Sequence, residues 1–301
     1  MKPAHVTLYE VGPRDGLQAE AEIVSAADKI TLIDKLSVSG LKYIETASFV
    51  SKKWVPQMAD AAEVMTGIAR APGVTYPALT PNLQGYEAAK DVHTSTVAIF
   101  GAASETFSLK NINCSIAESL ARFRFVTDAA KADGIKVRGY VSTVIACPYE
   151  GSIAPVAVVD VAERMLDMGC YEISLGDTVG VGTPADVSRL LEIVLKRIPV
   201  DKLAVHFHDT YGQALANILT ALDYGIATID SSVGGLGGCP YAPGASGNAA
   251  TEDVLYMLNG MGIKSGVDLD RIIEAAWFIS DVLGRPPRSK VAIVRARPPV
   301  S

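Results

Sequence analysis

The stretch HFHDTYGQAL, residues 206–215, places two of the chain's four histidines two positions apart. If the stretch ends a β-strand, side chains two residues apart project from the same face, so His206 and His208 can converge on one ion. Imidazole is a common ligand of divalent metals. An H-x-H pair by itself also fits two ordinary strand histidines, so a metal site requires further ligands nearby.

Two other segments contain residues that could complete such a site. EVGPRDGLQ contains Asp15, and GGLGGCPYAPGASGN ends in Asn248. Asp15, His206, His208 and Asn248 would form a mixed nitrogen and oxygen set with two open positions, which suits octahedral Mg²⁺ or Mn²⁺. A structural zinc site would instead favour four cysteine and histidine ligands.

Three more residues in or near these segments could act on a substrate. Arg14 stays protonated, so it is a partner for an oxyanion rather than an acid. Its alternative role is a structural salt bridge to Glu45, and Glu45 could orient Arg14 in either case. Cys239 lies in the glycine-rich segment, where a thiol on a mobile loop could give or take a proton. The competing interpretation of that loop is a backbone cradle for phosphate.

Short β-rich runs alternate with runs of helical periodicity along the chain. The eight predicted strands are residues 6–11, 42–47, 75–79, 94–100, 136–146, 171–177, 203–209 and 227–233. Eight βα units predict a (β/α)8 TIM barrel, an α/β fold whose functional residues gather at the C-terminal ends of the strands. The alternative is an open doubly wound sheet, but no G-x-G-x-x-G follows the first strand to support a dinucleotide version.

Capping patterns predict the starts of three helices, at Ser25 with Asp28, at Ser115 with Glu118 and at Thr183 before Pro184. After the seventh strand, spacing predicts a buried helical stripe of Leu215, Ile218, Leu219 and Leu222. A further helix is predicted from Asp268 to about Leu283. No linker or strong repeat interrupts the chain, so we expect one catalytic domain over residues 1–301, with a C-terminal helical extension over about 266–301.

Composition limits the classes of partner. The chain has 301 residues, is 49% hydrophobic and carries a net charge of −6 without a lysine or arginine run. This argues against nucleic acid or an anionic membrane as a partner, so an anionic substrate must be bound by local cations or a metal. The first residues contain no signal-like apolar run, and the four cysteines are far apart, so we expect a cytoplasmic protein with free thiols.

The motifs together resemble those of the 3-hydroxy-3-methylglutaryl-CoA lyase family, metal-dependent lyases with a (β/α)8 fold. The matching segments, in chain order, are EVGPRDGLQ, IETASFVSKKWVPQMAD, LTPNLQGYEAA, FGAASETFSLKNINCSI, SLGDTVGVGTP, HFHDTYGQALANI and GGLGGCPYAPGASGNAATED. The glycine loop with its cysteine is the most specific to the lyases, whereas R-D and H-x-H are shared with Claisen-type synthases. The chain departs from the family at Ala19, usually Asn, and at Ala21, Lys in some members. Both positions bear on contacts to the CoA portion.

The resemblance implies cleavage of 3-hydroxy-3-methylglutaryl-CoA to acetyl-CoA and acetoacetate, a step of leucine degradation and ketone-body formation. It implies that Asp15, His206, His208 and Asn248 bind Mg²⁺ or Mn²⁺. It also implies that Arg14 stabilises an enolate, that Glu45 supports Arg14, and that Cys239 is the loop thiol that protonates the enolate. Either His206 or Asp15 is placed to take the hydroxyl proton of the substrate.

Two alternatives stay open at this point. One is a related barrel enzyme, such as an acyl-CoA condensing synthase, an aldolase or a lyase for a bulkier 3-hydroxyglutaryl-CoA. The other is a non-catalytic barrel that only binds metal or acyl-CoA. We further expect a homo-oligomer, either a dimer or a tetramer.

Overall fold

The computed structural model describes residues 2–238 and 247–295, and a parallel β-sheet forms its centre. The strands are β1 (Thr7–Glu10), β2 (Tyr43–Ile44 and Ala47–Ser48), β3 (Ala78–Leu79), β4 (Thr96–Ala102), β5 (Lys136–Ser142), β6 (Ile173–Asp177), β7 (Leu203–Phe207) and β8 (Thr228–Ser231). Each lies within or overlaps a predicted strand, so the existence and order of all eight strands are confirmed.

The sheet closes on itself through β2. Its two halves flank Glu45 and Thr46: the first half pairs with β1 through Tyr9 and Tyr43, and the second pairs with β3 through Ala47 and Ala78. All other neighbouring strands are parallel, in the order β1, β8, β7, β6, β5, β4, β3. The predicted (β/α)8 barrel is therefore confirmed.

Helices surround the barrel. They are α1 (Ala26–Ser37), α2 (Ala61–Gly67), α3 (Leu83–Asp91), α4 (Glu105–Ile112), α5 (Ile116–Asp133), α6 (Pro155–Asp167), α7 (Pro184–Val194), α8 (Ala214–Asp223), α9 (Thr251–Gly260), α10 (Leu269–Val282) and α11 (Lys290–Val294). The predicted caps hold: the Ser25 side chain accepts from the Asp28 amide, and Ser115 and Glu118 form a capping box. No helix in the described ranges is long and apolar enough to cross a membrane.

The C-terminal extension contains two helices rather than one. Helix α10 packs against α1 and against the turn Val233–Gly235 that follows β8. Its buried face includes Ile272, Ala276 and Ile279. The extension therefore supports a loop at the C-terminal end of the barrel. The last part of the predicted extension, residues 296–301, lies outside the described residues.

Two local predictions were wrong. Strand β5 ends at Ser142, because Ala146–Cys147 turns back to pair antiparallel with Gly151–Ser152. In α8, Leu219 is 37% exposed. The buried face is centred instead on Ala214, Asn217, Ile218, Ala221 and Leu222. Small alanines let α8 approach the barrel closely, and a stripe chosen by large apolar residues overlooks them.

Candidate metal centre and active site

A tight turn at the end of β1 presents Arg14 and Asp15. The carbonyl of Val11 accepts hydrogen bonds from the amides of Arg14, Asp15 and Gly16 at 3.2, 2.7 and 3.1 Å. The turn needs glycine at position 16, because an added Cβ would lie 2.7 Å from both Leu236 Cβ and Ser232 Oγ. The backbone thus fixes the two charged side chains above the end of the strand.

The predicted metal ligands meet at this end of the barrel. The Nε2 atoms of His206 and His208 are 3.3 Å apart, and His206 Nε2 is 3.7 Å from Asp15 Oδ2. The ligand atoms of these three residues all lie within 4.8 Å of one another. Asn248 forms an isolated antiparallel bridge with His208 beyond the end of the strand, and its Nδ2 donates to Asp15 Oδ2 at 2.9 Å.

This cluster fits a divalent cation. Two imidazole nitrogens and a carboxylate oxygen converge on one small volume, and His206 and His208 are only 9% and 7% exposed. Turning the Asn248 amide about its last bond would present an oxygen to the same place. One carboxylate against a +2 ion leaves a net charge of +1, which suits an anionic substrate. Asp15, His206 and His208 thus form a possible metal-binding triad.

The charges at the site shift the pKa values of its members in different directions. Burial acts to raise the pKa of Asp15, but Arg14 and the two imidazoles outweigh it and hold that pKa well below its usual range. Burial and the nearby His206 lower the pKa of His208 to about 4. For His206, burial acts to lower the pKa, but Asp230 and Asp15 raise it above its ordinary value. His208 therefore offers a neutral imidazole near neutral pH, the form that binds a metal.

Arg14 is held by two carboxylates, those of Glu45 and Asp15. Its Nε donates to Glu45 Oε2 at 2.7 Å, its Nη2 lies 2.6 Å from the same oxygen, and its Nη1 donates to Asp15 Oδ1 at 2.5 Å. Glu45 is fully buried. A guanidinium has five N–H donors. These described partners occupy three, and the other two can face a substrate oxyanion.

The interior below the metal cluster contains polar residues that sequence reasoning missed. Asp230 on β8 lies 3.3 Å from His206 Nδ1, and Arg138 on β5 forms a two-pronged ion pair with it at 2.8 and 3.0 Å. Tyr140 donates to Glu45 Oε2 at 3.1 Å. A signal was present, because the arginine in VRGYV and the aspartate in TIDSS interrupt apolar strand runs. In a strand that is buried on both faces, such charges need partners, and here they have them in the barrel interior.

The predicted loop thiol, Cys239, lies outside the described residues, but both ends of its segment are anchored at the site. Asn248 Nδ2 donates to the Leu236 carbonyl at 3.3 Å, and the Asp209 amide donates to the Gly247 carbonyl at 2.6 Å. Cys147, the other thiol near the barrel mouth, is buried with its Sγ 3.0 Å from Ser104 Oγ.

Two buried carboxylates support the loops from behind. Glu10 Oε1 accepts from the amides of Gly12 and Val233, both at 2.8 Å, and its Oε2 accepts from the Thr251 hydroxyl at 2.6 Å. Glu252 accepts from the Gly234 amide at 2.8 Å. Burial raises the pKa of Glu10 to about 7 and that of Glu252 to about 8. Glu10 therefore joins the turn after β1 to the turn after β8.

Fold and site together define the class of this protein: a closed (β/α)8 barrel with a possible divalent-metal site at the C-terminal ends of its strands. A family model described as HMGL-like matches residues 5–279. The chain is 61% identical over 290 residues to the mouse (Mus musculus) protein named 3-hydroxy-3-methylglutaryl-CoA lyase, cytoplasmic, covering 96% of this chain and 84% of that one. It is 59% identical over 295 residues to the chicken (Gallus gallus) hydroxymethylglutaryl-CoA lyase, mitochondrial, covering 98% and 99%.

A solved structure agrees with these sequence relatives. The crystal structure of hydroxymethylglutaryl-CoA lyase from Pseudomonas aeruginosa superposes with a TM-score of 0.96 at 56% identity, covering 98% of this chain and 99% of that one. The chain therefore belongs to the 3-hydroxy-3-methylglutaryl-CoA lyase family. The family predicted from the motifs is confirmed, and with it an enzyme of the lyase class.

Proposed function

We propose that this chain cleaves 3-hydroxy-3-methylglutaryl-CoA to acetyl-CoA and acetoacetate, the step found in leucine degradation and ketone-body formation. The observation that carries the proposal is the convergence of Arg14 with the triad Asp15, His206 and His208 at one end of the barrel. A retro-Claisen cleavage needs a base for a hydroxyl proton, a stabiliser for a thioester enolate and a proton donor for its carbon. Relatives at about 60% identity over nearly the whole chain are named for this substrate.

Asp15, His206, His208 and Asn248 would hold the ion, and Mg²⁺ or Mn²⁺ suits their mixed nitrogen and oxygen donors. A bound divalent ion would supply Lewis-acid chemistry, lowering the pKa of the substrate hydroxyl. Asp15 or His206 would be the general base, and their side chains lie 3.7 Å apart, close enough for one hydroxyl to approach both. An imidazole has a single lone pair, so His206 could take the proton only while Nε2 is not bound to the ion, whereas a carboxylate such as Asp15 has a second oxygen.

Arg14 would stabilise the enolate. Glu45 and Asp15 fix its guanidinium from two sides, which aims the remaining N–H donors without reorganisation during the reaction. Cys239 would protonate the enolate carbon. The described residues on either side of its segment, Leu236 and Gly247, are hydrogen-bonded at the site, which supports this role for the thiol.

The rest of the proposal concerns the whole protein. Residues 1–301 would act as one catalytic domain, supported by α10, which packs on both α1 and the turn after β8. The protein would form a homo-oligomer, either a dimer or a tetramer, which light scattering of the purified protein can test.

A cytoplasmic location fits cysteines that are dispersed along the sequence, and Cys114, Cys147 and Cys170 are free thiols in the described part of the chain. Relatives are named both cytoplasmic and mitochondrial, so cell fractionation must decide the location.

A product assay tests the function. Purified protein with Mg²⁺ should convert 3-hydroxy-3-methylglutaryl-CoA to equal amounts of acetyl-CoA and acetoacetate, separated by chromatography. 3-Methylglutaryl-CoA, which lacks only the hydroxyl, is the matched control and should stay intact. Turnover of other acyl-CoAs without cleavage of this one would reject the proposal.

A further inference from the structure

Asp230 lies beside His206 on the adjacent strand and is fixed from several sides. The two residues are paired in register on β7 and β8, and Asp230 Oδ2 is 3.3 Å from His206 Nδ1. Arg138 donates to both carboxylate oxygens, and the Ser174 hydroxyl donates to Oδ2 at 2.8 Å. The carboxylate therefore has almost no freedom to turn away from the imidazole.

Arg138 anchors this carboxylate. Its side chain is fully buried, its guanidinium carbon lies 3.9 Å from the centre of the Tyr9 ring, and its Nε donates to Glu172 at 2.7 Å. A buried ion pair gains little stability over well-packed apolar residues, because both ions lose their hydration. Stability alone therefore gives no strong reason for this pair, and its geometry points to a role in the site above it.

The carboxylate determines which imidazole nitrogen carries the proton. His206 Nδ1 is buried and makes no hydrogen bond of good geometry within the described ranges, but the Asp230 carboxylate lies 3.3 Å from it. A carboxylate at this atom favours the tautomer with the proton on Nδ1, which leaves the Nε2 lone pair directed toward Asp15 and His208. That is the tautomer a metal ligand needs.

Arg138 also reaches the other half of the site. Its Nη1 donates to the Tyr140 hydroxyl at 3.0 Å, and that hydroxyl donates to Glu45 Oε2, the oxygen that binds Arg14. We propose that Asp230 is the positioning residue of His206, and that Arg138 holds it in register with the Glu45–Arg14 pair. The inference rests on the proposed metal role of His206.

The first test measures Mn²⁺ affinity by electron paramagnetic resonance, without substrate. In Asp230→Asn, the amide oxygen is drawn to Arg138 and the amide nitrogen can donate to His206 Nδ1, which favours the wrong tautomer. Affinity should fall about 10- to 100-fold, the usual cost of losing such a partner. The matched control is Asp60→Asn, the same exchange at the ion pair with Lys29, away from the metal cluster; its affinity should stay close to that of the unmodified protein. Equal affinities in all three proteins would overturn the proposal.

The second test needs no substitution at Asp230, so it decides the matter even if that variant fails to fold. The metal-free protein is labelled with ¹⁵N-histidine and studied by NMR at a pH above the titration of His206. With only four histidines in the chain, His206→Gln identifies the signals. A proton on Nδ1 supports the proposal, and a proton on Nε2 overturns it.

The two tests also separate this inference from the proposed function. If the unmodified protein fails to bind Mn²⁺, the metal-dependent function is rejected, while the tautomer still reports whether Asp230 controls the imidazole. If Mn²⁺ binds normally and the tautomer is the wrong one, only the role of Asp230 is rejected.

Discussion

Arg14→Lys is the substitution that most directly tests the proposed chemistry. Arginine makes three contacts to the carboxylates of Glu45 and Asp15 and keeps two N–H donors for the substrate. A lysine keeps the positive charge but has one nitrogen, which cannot hold both carboxylates and also face an enolate in a fixed direction. The substitution therefore keeps the positive charge but removes the fixed orientation of the N–H donors toward the substrate.

The size of the effect follows from the kind of interaction lost. Removing one preorganised donor to a developing oxyanion costs about 2.7–4 kcal/mol, or roughly 10²–10³ in kcat. Because the enolate forms only during the reaction, KM should change much less than kcat. A coupled assay of acetoacetate formation, run over a range of acyl-CoA concentrations with saturating Mg²⁺, gives both constants.

The matched control is Lys29→Arg, which exchanges the same two residue types at the buried ion pair with Asp60, away from the catalytic cluster. It should leave kcat near that of the unmodified enzyme. If Arg14→Lys raises KM and leaves kcat intact, Arg14 is a substrate anchor and the assignment as enolate stabiliser is wrong.

Three further predictions follow from the site and its supports. A chelator should abolish activity and added Mg²⁺ or Mn²⁺ should restore it, while Asp15→Ala should lose several powers of ten in kcat; a loss under about tenfold would place the site elsewhere. Cys239→Ala should bind Mn²⁺ and acyl-CoA normally yet lose most turnover, and near-normal turnover together with a slow Cys147→Ala would show that the proton donor is misassigned. Because burial raises the pKa of Glu252 to about 8 from an ordinary 4.5, the folded protein retains a proton that the unfolded chain releases, so stability should decline as pH rises between those values. Glu252→Gln should show less decline in urea unfolding between about pH 5 and pH 8.5, and identical declines in both proteins would contradict the buried-carboxyl argument.

The predicted metal ligands could be found from the sequence because they lie at or just after the C-terminal ends of strands. In a parallel barrel the C-terminal ends of β1, β7 and β8 meet at one face, so Asp15, His206, His208 and Asn248 converge once the strands are placed. Glu45 was predicted as a partner of Arg14 for the same reason. The family resemblance supplied the roles, and the structure supplies the distances at which those residues meet.

The ion pair between Arg138 and Asp230 in the barrel interior could not be predicted in the same way. Alternation along β5 and β8 shows that Arg138 and Asp230 leave the apolar face, yet it does not show which of eight strands provides the partner. Their ion pair joins residues 92 positions apart and depends on the tilt and stagger of the closed sheet. Sequence periodicity contains neither quantity, so the network beneath His206 emerges only from the closed structure.

The two faces of the strands divide stability and chemistry between them. Residues such as Val205, Phe207 and Ile229 face the helices and join one continuous apolar core, while their neighbours His206 and Asp230 face the interior. A barrel interior is usually filled by branched apolar side chains. Here the helix-facing layer supplies the hydrophobic burial instead, so the interior can contain charged and hydrogen-bonded residues whose arrangement serves the site. For this reason the residues that orient the metal ligands lie on the same strands as the core that stabilises the fold, one position away.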